Sequence, residues 1–326
     1  MIWIWAGFIA FVLAMLALDL GVFHRQAHEV RPREALGWSA VWIGLGLAFA
    51  VFVYFGYEHG WLGLGAAVDP VDGRLNEGRS AAIKYLTGYV VEKSLSVDNV
   101  FVIAMLFGFF GVPAMYQHRV LFWGILGALL MRGAMIAAGA ALIKRFDWII
   151  YIFGALLIVT AIKMLLSRDE TIHPEKNIFL RMARRFFPVS THYDGKNFFT
   201  QIDGMRAITP LFMVLIVVES TDVLFAVDSI PAIFAVTRDP FVVFTSNVFA
   251  ILGLRSLYFA LAGVIHKFHY LKYGLAVILS FVGVKMLLGH TPFAIPIGIS
   301  LAVVAFVLAM SVMASLIWPI KDVIKK

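Results

Sequence analysis

The sequence predicts an all-α fold, a polytopic bundle of transmembrane helices, and three observations support this prediction. Hydrophobic residues make up 61% of the 326 positions and charged residues only 14%, with a mean hydropathy of +0.89. A soluble domain of this length cannot hide so much apolar surface in one core. The apolar residues are gathered into runs of about 20, the length that crosses ~30 Å of hydrocarbon as a helix. The connections between these runs hold most of the basic residues, as in membrane proteins.

Nine such runs divide the chain, which we treat as a single transmembrane domain, residues 1–326. The predicted spans lie at about 2–23, 36–56, 83–109, 119–143, 148–166, 208–236, 241–265, 270–288 and 293–317. The first has no leading Lys or Arg and no clear small-residue cleavage site, so we expect a retained span and not a signal peptide. The Gly-rich segment 57–82 is predicted to be a re-entrant or surface loop.

Lys and Arg are distributed unequally between the two sides of the predicted bundle. The side that carries loop 167–206 holds more than twice as many as the other. Because basic connections face the cytoplasm, we expect the N-terminus outside, the C-terminus in the cytoplasm, and 167–206 to be a cytoplasmic basic loop. Its stretch RMARRFFPVS is either an ordinary cytoplasmic loop or a contact for anionic lipid. These loops explain the net charge of +7, so we expect no nucleic-acid partner.

Two parts of the chain resemble each other in the same order. SVDNVF at 96–101 matches STDVLF at 220–225, Arg132 matches Arg255, and IKMLL at 162–166 matches VKMLL at 284–288. Each copy holds three predicted helices, at about 83–166 and 208–288, so the second copy enters the membrane from the opposite side. Many secondary transporters have such an inverted repeat, with their substrate site near the bilayer midplane between the copies.

Acidic residues lie inside the predicted spans, where each costs about 2.5–3.5 kcal/mol on insertion scales. They are Asp19, Glu92, Asp98, Glu219, Asp222 and Asp228. Glu92 and Asn99 are seven residues apart and share a helix face, and Glu219 and Asp222 can bind one object together. Asp228 falls on the opposite face from Glu219. Either it serves another contact, or the helix is distorted near 226–231 by Pro231, which is the interpretation we favour.

The side chains available in the spans favour a hard divalent cation. The chain has no Cys, and its nine His residues fall in loops or at helix ends. Oxygen ligands suit Mg²⁺, Ca²⁺ and Mn²⁺. The candidate metal ligands are Glu92, Asp98, Asn99, Glu219, Asp222 and Asp228. Candidates for supporting or counter-charge roles are Asp19, Lys93, Ser96, Thr221, Arg132 and Arg255. The alternatives are a proton path, or structural ion pairs made by the basic members of this second set.

Both acidic motifs carry a resemblance to a known family. Four segments carry the resemblance: EKSLSVDNVFV (92–102), ESTDVLFAVDSIPA (219–232), LALDLGVFHR (16–25) and FAILGLRSLYF (249–259). In these segments the chain resembles the TerC family of integral membrane proteins, in particular its Alx-type members. The resemblance extends along most of the chain. It implies a helical bundle in the bacterial inner membrane that exports Mn²⁺, with Ca²⁺ or Mg²⁺ as alternative ions. The family takes its name from tellurite-resistance operons, and Alx-type members have been labelled redox modulators.

The function predicted from these features is a secondary transporter that exports a hard divalent cation. The chain has no G-x-x-x-x-G-K-[ST] motif, so we expect an ion gradient and not ATP to drive it. We expect no catalytic residue, no enzyme activity and no permanently bound cofactor. The alternative is a membrane scaffold, or a redox or tellurite-resistance component, without transport activity.

Overall fold

The computed structural model describes residues 2–21, 32–166, 177–202, 204–261, 268, 270–289, 291 and 293–318, with the side chains of 19–21 and 32 left out. The helices are α1 (Ile2–Gly21), α2 (Pro32–Glu58), α3 (Gly78–Phe110), α4 (Ala114–Arg145), α5 (Ile149–Leu166), α6 (Ile178–Phe186), α7 (Pro210–Phe234), α8 (Pro240–Leu252), α9 (Leu254–Leu261), α10 (Leu271–Leu288) and α11 (Ile297–Ile317).

Two small antiparallel strand pairs lie in the connections. β1 (Val68–Asp69) pairs with β2 (Arg74–Leu75) between α2 and α3, and β3 (Phe199–Ile202) pairs with β4 (Met205–Ile208) between α6 and α7. Because α2 ends and α3 begins beside the first pair, we call that side of the bundle the 59–77 end. The second pair marks the opposite side, the 177–209 end. The predicted loop 57–82 is therefore a turn and a hairpin over 59–77, and its two ends belong to α2 and α3.

The helices have the length and composition of membrane spans. Within the described residues, eight segments are long and apolar enough to cross a membrane, α8 and α9 counting as one, and α1 contributes a shorter apolar run, Ile2–Leu18. Large apolar side chains remain exposed on the outside of the bundle, as lipid contact requires: Trp3, Leu130, Leu166, Leu224 and Phe306. The chain is a polytopic helical membrane protein, as predicted, and the nine predicted spans correspond to these eight segments and α1.

The span formed by α8 and α9 is the most buried in the described part of the chain. Helix α3 packs against α8 and α4 packs against α7, while α5 packs against α10. If α3, α4 and α5 of the first proposed copy are exchanged with α7, α8–α9 and α10 of the second, the same three contacts result. An inverted repeat requires this symmetry. The repeat itself stays a prediction from the sequence.

The predicted distortion of the sixth span near Pro231 is wrong. Helix α7 is continuous from Pro210 to Phe234, with Pro231 in its last turn. A proline there removes one backbone hydrogen bond close to the helix end, where little of the helix remains to be distorted.

The break lies in the next span, which the sequence analysis treated as continuous. Helix α8 ends at Leu252, Gly253 is a turn residue, and α9 follows. The Nζ of Lys93 donates a hydrogen bond to the carbonyl of Ala250, 3.1 Å away. That carbonyl would otherwise accept from the N–H four residues later, so Lys93 satisfies the group that the break sets free.

Candidate cation-binding site

Arg132 is the centre of a buried polar cluster in the middle of the bundle. It projects from the middle of α4 and is 2% exposed. Its Nη2 and Nε donate to the two carboxylate oxygens of Asp222 on α7, at 3.1 and 3.3 Å. Its Nη1 donates to Glu92 on α3. A fork-shaped guanidinium thus joins the carboxylates of two different helices.

Two further side chains complete this cluster. The Nδ2 of Asn247 on α8 donates to Glu92 Oε2 at 3.0 Å, and its Oδ1 accepts from Arg132 at 3.3 Å. Ser229 on α7 accepts from the same Nη1 at 3.3 Å. Asn247 was not predicted as a site residue, and the one available signal was that it is a polar residue within an apolar span.

The cluster carries a surplus of negative charge. Glu92 and Asp222 bring two carboxylates, and Arg132 brings one positive charge. Both carboxylates face the same guanidinium near the middle of α3, α4 and α7, three helices with the length and composition of membrane spans. A net charge at that depth is expensive, so the cluster favours the binding of a cation or a proton.

A small cavity adjoins the cluster at Asp222. Its volume is about 20 Å³, and its polar lining comes from Asn99, Thr221 and Asp222. The Oδ1 of Asn99 is buried and has no hydrogen-bond partner among the described residues. A space of this size holds about one water or one ion. The rest of the lining is apolar, so a carboxylate, an amide and a hydroxyl lie together on the wall of a space for one small ligand.

Glu219 lies one turn before Asp222 on α7 and is also incompletely paired. Its Oε2 is buried without a hydrogen-bond partner in the described part of the chain. The carboxylate packs against Gly127 of α4, where a Cβ would overlap it. Gly127 thus provides the space that a carboxylate needs between these two packed helices.

Asp228 does not join Arg132. It accepts a hydrogen bond from Thr160 of α5 at 2.8 Å, on another face of α7. Of the two interpretations left open for Asp228, the structure supports a separate contact.

The other candidates take different places. Asp98 precedes Asn99 on α3, is partly buried and has a polar contact of its own. Ser96 donates to the backbone carbonyl of Glu92, and Thr221 donates to that of Val217. Arg255 is buried and contacts His118.

Asp19 lies in α1, and its side chain is outside the described residues. Lys93 caps the break after α8, as described above. Within the described part of the chain, no three His, Asp or Glu side chains are close enough to hold one metal ion together. The structure therefore groups Glu92, Asp222, Asn99 and Thr221 around Arg132 and the small cavity, with Glu219 one turn away.

A second buried network, at the 59–77 end, was missed by the sequence analysis. Lys84 of α3 donates to Asp69 at 2.9 Å and to Asn76 at 2.7 Å, and forms an ion pair with Asp72 at 2.8 Å. Asp69 also accepts from Thr237, in the connection between α7 and α8. The network ties the hairpin to both helices. Asp69 was missed because a hydrophilic Gly-rich segment gives no sign of which acid is buried.

Asp69 is expected to make the stability of the protein depend on pH. Burial raises the pKa of Asp69, but the hydrogen bond from Thr237 and the charge of Lys84 outweigh it, so the pKa lies below its ordinary value. Because the pKa of Asp69 is lower in the folded state, its ionised carboxylate stabilises the fold at every pH above the unfolded-state pKa of about 3.9. This stabilisation is lost as the pH falls through the folded-state pKa. Asp69→Asn should therefore cost ~1–3 kcal/mol at neutral pH.

Thermal unfolding of wild type and Asp69→Asn in detergent, followed from pH 7 downward, measures this effect. The difference in midpoint between the two proteins should shrink once the pH is low enough to protonate Asp69. Asp194→Asn, in the exposed connection before β3, is the matched control and should behave as wild type. A difference that stays constant with pH would show that the charge of Asp69 is not what stabilises the hairpin.

The fold and the site together define the class of this protein: it is a polytopic helical membrane protein with a buried arginine–carboxylate cluster. The family described as "Integral membrane protein TerC family" matches residues 77–322, three quarters of the chain. The chain belongs to the TerC family, which confirms the resemblance seen in the acidic motifs.

Relatives match along nearly their whole length. "Uncharacterized membrane protein STKORF319" of Myxococcus xanthus is 52% identical, over 96% of this chain and 92% of its own. "Putative membrane-bound redox modulator Alx" of Escherichia coli K12 is 48% identical, over 94% and 92%. A membrane protein of Rickettsia bellii is 37% identical, over 96% and 97%. No solved structure matches the chain.

Proposed function

We propose that this protein is a secondary transporter that exports a hard divalent cation, with manganese as its physiological substrate. The observation that carries the proposal is the cavity of about 20 Å³ beside Asp222, in whose otherwise apolar lining Asp222, Thr221 and Asn99, with its unpartnered Oδ1, are the polar residues. Oxygen ligands favour hard cations, and the negative surplus around Arg132 attracts them. The oxygen ligands favour hard cations as a class, and the choice of manganese within that class comes from membership of the family.

A cation suits the charge of the site. With Glu92 and Asp222 both ionised, Arg132 neutralises only one of the two carboxylates. The remaining negative charge lies at the edge of the cavity, on the side chain that is the more exposed of the two. A cation there would be held by Asp222 directly, with Asn99 and Thr221 as neutral ligands.

The site is closed towards the 177–209 end. Towards the 177–209 end, an apolar cluster fills the space between α3, α4, α7 and α9; it includes Ile103, Phe107, Leu121, Val214 and Tyr258. Helix α6 covers this cluster from outside, with Leu180 buried in it. Passage of an ion therefore requires this layer to open. Alternating access, in which the two sets of three helices tilt against each other, provides such an opening.

Helix α6 also reaches the level of the site. The Nδ2 of Asn177, its N-cap, donates to Ser220 Oγ at 2.6 Å, and Ser220 follows Glu219 directly. Since Ile208, just before α7, bonds to Pro188 just after α6, the two helices lie side by side and run in opposite directions. We propose that α6 is the element that moves when the 177–209 end opens.

Purified protein in liposomes should carry Mn²⁺ across the bilayer. The liposomes are loaded with a fluorophore that Mn²⁺ quenches, and an outward or inward pH gradient is imposed. Influx of external Mn²⁺ is then measured as the rate of fluorescence quenching. We expect faster quenching than in protein-free liposomes, and slower quenching when Mg²⁺ or Ca²⁺ competes. Equal rates with and without protein, with correct insertion established by protease protection, would contradict the proposal.

The name of the Escherichia coli relative suggests a redox role, which the residues support less well. The chain contains no Cys, so thiol–disulfide chemistry is not available to it. We therefore propose transport as the primary activity and place the protein in the bacterial inner membrane, with the 177–209 end in the cytoplasm.

A further inference from the structure

A large cavity at the 59–77 end is not part of the arginine–carboxylate site. It has a volume of about 900 Å³ and lies between the hairpin, the start of α3, the end of α7, the end of α10 and the start of α11. The charged side chains that line it are Asp72, Arg74, Glu77, Lys84, Arg238 and Lys285. Four are basic and two are acidic, so the lining carries a positive surplus.

The basic side chains differ in what already neutralises them. Lys84 is saturated, since it contacts Asp69, Asp72 and Asn76 at 2.7–2.9 Å. Its ion pair with Asp72 also neutralises one of the two acids that line the cavity. Three basic side chains remain, Arg74, Arg238 and Lys285, against one acid, Glu77, so the lining keeps a positive surplus.

Lys285 is the unusual member of this set. It lies in the last turn of α10 and is only 6% exposed, yet no hydrogen bond or ion pair joins it to any described residue. Lysine is almost never this buried unless it is paired, because its ammonium loses hydration. The side chain lines the cavity. Asp72 and Asp69 attract this ammonium only from a distance and are themselves paired with Lys84, so no acid makes a direct contact with Lys285 among the described residues.

Two further groups add donors to the lining of the same cavity. The Nε of Arg238 is buried and has no acceptor in the described part of the chain. The first turn of α11 begins at Ile297, with Pro296 before it and no side-chain cap, and both residues line the cavity. The free N–H groups of a helix N-terminus and its dipole favour an anion. An ammonium, a guanidinium and a helix N-terminus together form the donor set that phosphate groups prefer.

We propose that this cavity binds a phosphate-type oxyanion, with Lys285 as its main charged contact and Arg238 beside it. The same chemistry is offered by inorganic phosphate and by the headgroup of an anionic phospholipid. The cavity lies at the end of the spans, where both an aqueous ion and a lipid headgroup have access. The proposal does not depend on cation transport.

Binding of each source to the purified full-length protein tests the proposal. The free source is tested by thermal unfolding in inorganic phosphate against chloride of equal ionic strength. The lipid source is tested by native mass spectrometry of detergent-purified protein titrated with phosphatidylglycerol. At least one of the two should bind wild type, and Lys285→Gln should weaken that binding by about tenfold or more, as the loss of a charge-assisted contact predicts.

Two variants keep the test decisive. Lys144→Gln removes an equal charge from an exposed position at the same end, outside the cavity, and should bind as wild type does. Lys285→Arg keeps the charge and should retain binding, which separates lost binding from a folding defect. The proposal is overturned if neither source binds wild type, or if the source that binds does so equally well to Lys285→Gln. Lys285 would then be hydrated by water in the cavity and would have no ligand.

Discussion

Asp222→Asn is expected to give a folded, membrane-inserted protein that no longer exports manganese. The change removes the one charged ligand that lines the small cavity, while Arg132 keeps Glu92 as its partner. A charged contact contributes ~1.5–3 kcal/mol, which corresponds to a roughly ten- to hundredfold loss of affinity. The insertion cost of the helix falls at the same time, so stability should not suffer. Intracellular manganese, measured by mass spectrometry after a manganese load, should be low only in cells with wild type.

Two comparisons make this result specific to the site. Glu77→Gln removes an exposed acid that lies at the N-cap of α3 and does not line the small cavity beside Asp222, and should leave manganese as low as wild type does. Asp228→Asn lies in the same motif as Asp222, but its side chain bonds to Thr160. A weaker defect in Asp228→Asn than in Asp222→Asn is expected from the structure. Equal manganese in wild-type and Asp222→Asn cells, with insertion verified, would remove the site assignment.

The sequence predicts the fold class and most of the helix boundaries because both depend on local properties. A run of apolar residues of membrane length is visible without knowing any contact, as in α10 and α11. The acidic motifs are visible for the same reason, because each carboxylate stands in an apolar run. Sequence therefore identifies Glu92 and Asp222 as exceptional residues and places both near the middle of long helices.

What the sequence does not predict is which of these residues meet. Arg132 was considered only as a possible counter-charge, yet it contacts both Glu92 and Asp222. The helical wheel of α7 separates Asp228 from Glu219, but it does not say that Thr160 on α5 provides the other contact. Such contacts depend on the rotation and depth of each helix against its neighbours, which packing decides.

The position of the helix break illustrates the same limit. Pro231 was taken as the place of distortion because proline lacks a donor, although near a helix end that loss is small. The break occurs after Leu252 instead, where Lys93 from α3 reaches the carbonyl of Ala250. The interaction joins residues 157 positions apart, so no local pattern reports it.

Arg132→Met is expected to destabilise the protein strongly. It leaves Glu92 and Asp222 as two buried carboxylates that face a gap, with only Asn247 still donating to one of them. Removing one partner of a buried ion pair typically costs about 3–5 kcal/mol. Thermal unfolding in detergent at neutral pH should show a clear fall in midpoint, and a midpoint equal to that of wild type would contradict the role assigned to Arg132.

The triple variant Arg132→Met, Glu92→Gln, Asp222→Asn separates the effect of charge from the effect of size. It removes the guanidinium together with both carboxylates, so no uncompensated charge remains in the core. Replacing a whole buried ion cluster by neutral groups is often close to neutral for stability. The midpoint should recover most of what Arg132→Met alone loses, while manganese export stays absent because the charged ligand is gone.

The response of Arg132→Met to manganese connects stability with function. If Arg132 and the transported ion both neutralise the same carboxylates, then an added divalent cation should take the place of the missing guanidinium. A ligand that binds only the folded state raises stability in proportion to RT ln(1 + [L]/Kd). Manganese should therefore raise the unfolding midpoint of Arg132→Met more than that of wild type, and should have no such effect on the triple variant. That pattern would identify Arg132 as the internal cation that competes with the substrate and favours its release, whereas a midpoint of Arg132→Met that ignores manganese would make the arginine a purely structural partner of Glu92 and Asp222.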